Sequence, residues 1–273
     1  PGLRYEWQEV KPDSLNTTFS TSDKVENEAF APKIAVLVDV TETINVFGTL
    51  AQTERLPVID EIFDGSSGNL DLKPEKAETW ELGASYSGTD VVFTGDQLVG
   101  KIVYFNNELE DVISRVNTSS PFLNIDEATY SGWELEASYD TDFAFGNLAY
   151  TQIRADGSDN GVGDDPLSDI PADELSLTIG SRLPSLNLEF GARGTFTWDQ
   201  DRVPPGQDTA KGYQVYDIFG SWTPDAGVLE GAEVRVAVDN LFNEAYSPAL
   251  FVGDPDTNRA AGRSVRLSLA YNF

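Results

Sequence analysis

The chain has 273 residues, 40% of them apolar and 11% aromatic, with 18 basic against 46 acidic side chains and a formal net charge of −28. That content is too apolar for a disordered acidic tail, and the charge repels phosphate, so no nucleic-acid partner is expected. With neither cysteine nor histidine in the sequence, disulfide frameworks, thiolate chemistry, Ser-His-Asp triads and His-ligated zinc or haem lie outside this chain's own means.

The opening PGLRYEW holds neither a start methionine nor the apolar stretch of a signal peptide, and reads as part of a longer chain. No apolar run reaches the roughly 18 residues of a membrane-crossing helix, but a crossing strand needs only about 9–11 residues with alternate positions apolar. That two-residue rhythm fills the sequence. In WELGASY, Trp80, Leu82, Ala84 and Tyr86 share one face of a strand and Glu81, Gly83 and Ser85 the other; WELEASY repeats the pattern from Trp133 to Tyr139. LNLEFGARGTFTW from Leu186 to Trp198, VRVAV from Val234 to Val238 and the closing VRLSLAYNF alternate likewise. Strands are predicted at 2–10, 30–40, 44–53, 77–87, 90–106, 120–140, 144–154, 173–183, 186–198, 212–223, 231–241 and 263–273, about twelve in all.

The connections alternate too. TET at 41–43, SGT at 87–89, DTD at 140–142 and PS at 184–185 read as tight turns, whereas 54–76, 155–172, 199–211 and 242–262 read as long polar loops. Short turns on one side and long loops on the other describe an antiparallel transmembrane β-barrel of the outer membrane, all-β, with its apolar face toward lipid and its polar face toward the lumen. A soluble acidic β-sandwich that binds a ligand is the alternative, since its strands also alternate.

Several phrases, in order, resemble TonB-dependent outer-membrane receptors. GNLDLKPE is similar to that family's Asn-Pro-x-Leu-x-Pro-Glu box through Asn69, Leu72, Pro74 and Glu75, without its first proline. AQTERLPVIDEIFD is similar to the Phe-Arg-Ala-Pro region through Arg55 and Pro57, whereas Glu54 and Leu56 differ. VDNLFNEAY, from Val238 to Tyr246, resembles the penultimate strand and loop, and GRSVRLSLAYNF the closing strand. The resemblance implies a barrel of roughly 22 strands with a plugged lumen. Residues 1–273 are then the C-terminal portion of the barrel, about half of it, with the plug and the N-terminal strands absent.

The same resemblance implies transport across a Gram-negative outer membrane rather than catalysis, with a scarce nutrient as cargo, a ferric siderophore or haem. The implied partners are the TonB complex, reached through the absent plug segment, the barrel-assembly machinery, lipopolysaccharide and outer-membrane lipid, and a small iron chelate. A passive or purely structural small barrel is a further alternative. Haem receptors of this family often carry a histidine between the two boxes. Residues 58–68 hold none, so axial ligation from this portion would fall to a tyrosine.

Arg55, Asn69, Lys73 and Glu75 are candidates for the base of a ligand-gated loop, or for hydrogen bonding that fixes the loop's stems. Tyr246, Phe251 and Arg259 are candidates for contacting a chelate by stacking and charge, or for ordinary loop packing. Tyr271 and Phe273 match the terminal aromatic signal that the resemblance associates with barrel assembly. Glu134 and Glu136 lie about 7 Å apart on one strand face, a separation that suits acid and base roles. Acidic pairs are common by chance among 46 carboxylates, so lumen lining is preferred and no enzyme activity is expected. DGSDNGVGDDPLSD, from Asp156 to Asp169, lacks calcium-loop spacing because Leu167 stands where a bidentate glutamate is required. No metal site and no resident cofactor is expected.

Overall fold

The computed structural model describes residues 1–12, 19–20, 23–64, 68–115, 120–159, 162–167, 170–247 and 259–271. Among these, the strands are β1 (Gly2–Val10), β2 (Val25–Asp39), β3 (Ile44–Arg55), β4 (Glu75–Thr89), β5 (Gln97–Ser114), β6 (Leu123–Asp140), β7 (Ala144–Asp159), β8 (Val162–Pro166), β9 (Glu174–Leu183), β10 (Leu188–Thr197), β11 (Tyr213–Trp222), β12 (Ala232–Asp239) and β13 (Ser264–Tyr271). One short helix, α1 (Ile59–Ile62), interrupts them. Every pairing is antiparallel, and each strand lies beside its sequence neighbours in a single meander; only β8 leaves the path, folding back on β7. The predicted twelve strands are the twelve of that path.

The register explains the alternation. One line across the sheet reads Val38, Val46, Ala84, Ile102, Leu135, Tyr150, Leu175, Phe196. The adjacent line reads Asp39, Asn45, Ser85, Lys101, Glu136, Ala149, Ser176, Thr195. Apolar side chains therefore share one face through all these strands, and that face is largely uncovered by protein: Val38, Val46, Leu82, Ile102, Trp133, Ile179 and Leu267 are exposed. Each such side chain is stabilised by about 1.5–3 kcal/mol on leaving water for an apolar medium. The opposite face is polar, with phenylalanines laid over glycines. Phe47 faces Gly83 and Phe105 faces Gly132 across their ladders. A Cβ at either glycine would collide with the facing ring and a neighbouring carbonyl, so only glycine fits beneath the ring.

Short turns join β2 to β3, β4 to β5, β6 to β7, β9 to β10 and β11 to β12; the longer connections lie at the opposite end of the sheet. Differences from the sequence reading lie at the strand ends. SGT at 87–89 belongs to β4, and the turn is formed by 90–96 instead. β5 runs on to Ser114 through a register shift near Asp111, which adopts a left-handed φ of 56°. β2 begins at Val25, and the loop read as 155–172 contains the end of β7 and all of β8. In the β2 and β5 extensions Val25 and Ile113 are buried on the polar side of the sheet, so backbone ladder bonds persist while the outward apolar rhythm disappears.

Candidate functional site

The long-loop end carries two built assemblies. The first is a cap formed by the β3–β4 connection. Its core is Val25, Ile62, Leu72 and Ile113, with Val10, Phe63, Leu70 and Phe122 packed around it, and Ile62 is 0% exposed. The family-like boxes supply its polar frame. Arg55 ends β3 directly opposite Glu75, pairs with that carboxylate, and grips Glu61 of α1 through two bonds of 3.1 Å. Glu61 reaches back to the Val58 N–H at 2.9 Å, the glutamate half of a capping box. Asn69 donates to the Phe122 carbonyl at 2.9 Å and accepts from the Asp71 N–H at 3.0 Å. The Lys73 backbone pairs both ways with the Asn124 amide, at 2.9 Å each, and Asn124 also donates to the Asp111 carbonyl at 2.7 Å. The β3–β4 connection is thereby fastened to the one between β5 and β6, and Arg55, Asn69 and Glu75 have their polar atoms engaged in stem contacts.

Glu75 also accepts from the Ile113 N–H at 2.8 Å. Burial pushes its carboxyl up, but the Arg55 hydrogen bond, the Ile113 N–H and the Arg55 charge together hold it below the ordinary glutamate range. A carboxyl depressed in the folded state contributes stability above its unfolded pKa and loses it as pH falls through the folded value. The cap is therefore expected to loosen only below the ordinary glutamate range. Amide exchange of residues 56–74 checks this, and Glu75→Gln should show the looser behaviour already at neutral pH.

The second assembly lies over the polar face of β10–β13. A recess of about 440 Å³ is lined by Thr195, Tyr213, Asp217, Tyr246 and Arg266, among others, a size that suits small-ligand sites. Tyr246 stacks on Tyr213 with ring centroids 4.2 Å apart. Burial, then the neighbouring Tyr213, Asp217 and Glu174, pushes the Tyr246 phenol above its ordinary value, so at neutral pH the ring is a neutral stacking and hydrogen-bonding surface. Arg266 is paired with Asp239 at 2.6 Å.

What holds Tyr246 there is the phrase DNLFN. Asn240, 4% exposed and at a left-handed φ of 50°, receives the Glu244 N–H on its side-chain oxygen at 2.7 Å. Its amide donates to the Glu244 carbonyl at 2.8 Å and the Ala261 carbonyl at 3.3 Å, and its own N–H donates to Asp217 at 2.8 Å. Asn243, also left-handed, receives the Arg263 N–H at 3.0 Å. Asparagine suits both positions because it tolerates the left-handed backbone and bonds locally.

The remaining sequence candidates fall as follows. Arg259 precedes Ala260, whose N–H donates to the Tyr246 carbonyl at 2.9 Å, so the backbone brings it beside Tyr246. Tyr271 ends β13 opposite Ala232, on the apolar face. Phe251 and Phe273 lie outside the described residues. Glu134 and Glu136 line the polar face, and Asp156 is held by Arg202 at 2.5 Å. Among the described residues no cluster of three or more acidic side chains is arranged to hold a metal ion. Asn124 and Asn240, the hubs of the two assemblies, were not singled out by sequence reasoning; for Asn240 the signal was the paired asparagines in DNLFN.

Comparison with known proteins accounts for the architecture. Residues 1–241 match a family model described as TonB dependent receptor-like, beta-barrel. The chain is 26% identical over 275 residues to the TonB-dependent heme receptor A of Haemophilus ducreyi, covering 86% of this chain and 36% of that protein. It is 27% identical over 271 residues to a hemin receptor of Yersinia pestis, covering 91% and 38% respectively. The chain thus spans little more than a third of the length of these relatives. The FrpB iron transporter of Neisseria meningitidis superposes with a TM-score of 0.78 at 21% identity, over 99% of this chain and 42% of that one. The copper transporter OprC gives 0.77 at 20% identity, over 99% and 44%. The fold is therefore that of slightly less than half of such a protein, and the chain belongs to the TonB-dependent receptor family, as part of its β-barrel domain.

Proposed function

We propose that the chain is the C-terminal portion of the barrel of a Gram-negative outer-membrane receptor that imports an iron chelate, energised by the TonB complex acting on a plug encoded elsewhere in the full protein. The observation that carries this reading is the division of one sheet into an apolar face uncovered by protein and a polar face overhung by two built assemblies. An uncovered apolar face of that extent suits lipid; a polar face with latched loops and a recess suits a small polar cargo. Outer-membrane lipid and lipopolysaccharide are then the partners of the apolar face, and the barrel-assembly machinery is the partner of β13 and its aromatic end.

Haem is the cargo to test first, because the relatives named above are a heme and a hemin receptor. The chain has no histidine, so any imidazole on the haem iron comes from the rest of the protein. In this portion the Tyr213–Tyr246 pair, its rings tilted by 31°, offers an aromatic face to a planar ligand. Deleting the full-length gene is expected to abolish growth with haemin as the only iron source, and the Tyr246→Ala receptor is expected to restore it weakly. Unimpaired growth on haemin with loss of growth on a ferric siderophore would transfer the reading to siderophores.

A further inference from the structure

The five short turns are unusual for segments that face water. Each carries a large exposed apolar side chain: Val40 after β2, Val92 and Phe93 after β4, Phe143 after β6, Leu186 after β9 and Val228 after β11. Val92 is 66% and Val228 96% exposed. Phe93 and Phe143 meet edge to face, ring centroids 5.8 Å apart, which joins two neighbouring turns into one patch.

The 90–96 turn is held in a fixed shape. Asp96 is 1% exposed and accepts the backbone N–H groups of Val91, Val92 and Phe93 at 2.6, 2.8 and 2.8 Å. It also accepts the Tyr139 hydroxyl at 2.7 Å. Tyr139 pairs with Leu98 on the apolar face of the sheet, so the turn is tied to that face rather than to the polar one. Val92 and Phe93 are exposed on the turn so tied.

Strand length says what covers them. An aromatic row formed by Trp80, Tyr104 and Trp133, with successive centroids 5.2 and 5.0 Å apart, crosses the upper part of the apolar face. Below that row β4 continues from Trp80 to Thr89 and β6 from Trp133 to Asp140. At about 3.4 Å per residue and a tilt of about 40°, these stretches descend about 23 and 18 Å, short of the roughly 25 Å apolar band of an outer-membrane barrel. The turns begin before the lipid ends. Their charge selects the headgroup. Residues 40–43, 90–96, 141–143, 184–187 and 223–231 hold Glu42, Asp90, Asp96, Asp142, Asp225 and Glu230 and no lysine or arginine, so an anionic headgroup is repelled.

We propose that the short turns form a hydrophobic collar seated in the headgroup–acyl boundary of the periplasmic leaflet, against zwitterionic phospholipid. The proposal rests on reading the sheet as an outer-membrane barrel. The chain's lack of cysteine allows site-specific labelling. In the full-length receptor, freed of any other cysteine and reconstituted in phosphatidylcholine vesicles, nitroxides are placed by Val92→Cys, Val228→Cys and Leu135→Cys. Oxygen is expected to relax the first two more strongly than a water-soluble nickel complex does, though less strongly than at Leu135. Adding phosphatidylglycerol should shift the two turn sites toward the nickel complex. Nickel-dominated relaxation at both turn sites, with Leu135 still oxygen-dominated, would overturn the collar while leaving the barrel intact, and would free the patch for a periplasmic protein. Identical depth in both lipid mixtures would overturn the headgroup preference. A nickel-dominated Leu135 would instead overturn the barrel reading beneath it.

Discussion

Leu135→Arg is expected to destabilise the full-length receptor in lipid by about 1–3 kcal/mol, the cost of an arginine on the lipid face between the interface and the middle of the bilayer, since Leu135 lies about 5 Å below the aromatic row. Glu134→Arg, one residue away, is expected to change stability by less than about 1 kcal/mol, as for ordinary substitutions of a solvated side chain. The contrast follows from the ladders. Leu135 lies between Ile102 and Tyr150 on the apolar face, whereas Glu134 lies between Val103 and Thr151 on the polar one. Denaturant unfolding of both variants in vesicles measures the difference. Equal losses would mean that the two faces meet the same solvent, as in a soluble sandwich.

Asn240→Ala is expected to cost about 2–3 kcal/mol: about 1 kcal/mol from placing alanine in a left-handed backbone and the rest from buried polar groups left without partners. The effect should be local. Residues 240–247 and 259–263 are tied together through Asn240, and Tyr246 is carried on that connection. The Glu244 amide should therefore lose protection from exchange, as should the amides of Ala260 and Arg263. Asn240→Gly should recover the backbone part of the loss and none of the hydrogen-bond part. A variant that unfolds globally while its last loop stays protected would contradict the latch.

The sheet was legible in the sequence where lipid constrains it. Between about Trp80 and Tyr86, or Trp133 and Tyr139, every second residue must suit hydrocarbon, and the rhythm marks the strand and its register face. Past the aromatic row that constraint ends. NELEDVIS reads as polar loop yet continues β5: Ile113 is buried in the cap core and the register shifts between Leu109 and Ile113 break the two-residue signature. The 90–96 turn was hidden for the opposite reason: VVF continues an apolar run, and the chain is turned there by bonds that the Val91, Val92 and Phe93 N–H groups donate to the Asp96 side chain, with backbone and Asp90 bonds closing the loop.

The candidate site divides in the same way. Arg55 and Glu75 were found as members of two short boxes, and the structure brings them face to face although 20 positions separate them. Asn124 gave no signal, because its role is to bond the Lys73 and Asp111 backbones, which a sequence does not place nearby. The paired asparagines of DNLFN were visible as a resemblance, but their task of holding Tyr246 over Tyr213 depends on left-handed backbone that no periodicity encodes.

The central claim is that this sheet parts lipid from lumen. Its most direct test labels single cysteines at 134, 135, 136, 137 and 138 of the full-length receptor with a small fluorophore and measures quenching by brominated lipid. Strong quenching at Leu135 and Ala137, with little at Glu134, Glu136 and Ser138, is the predicted result, since only the first two share the apolar face. Quenching that fails to alternate, or that alternates with the opposite phase, would contradict it.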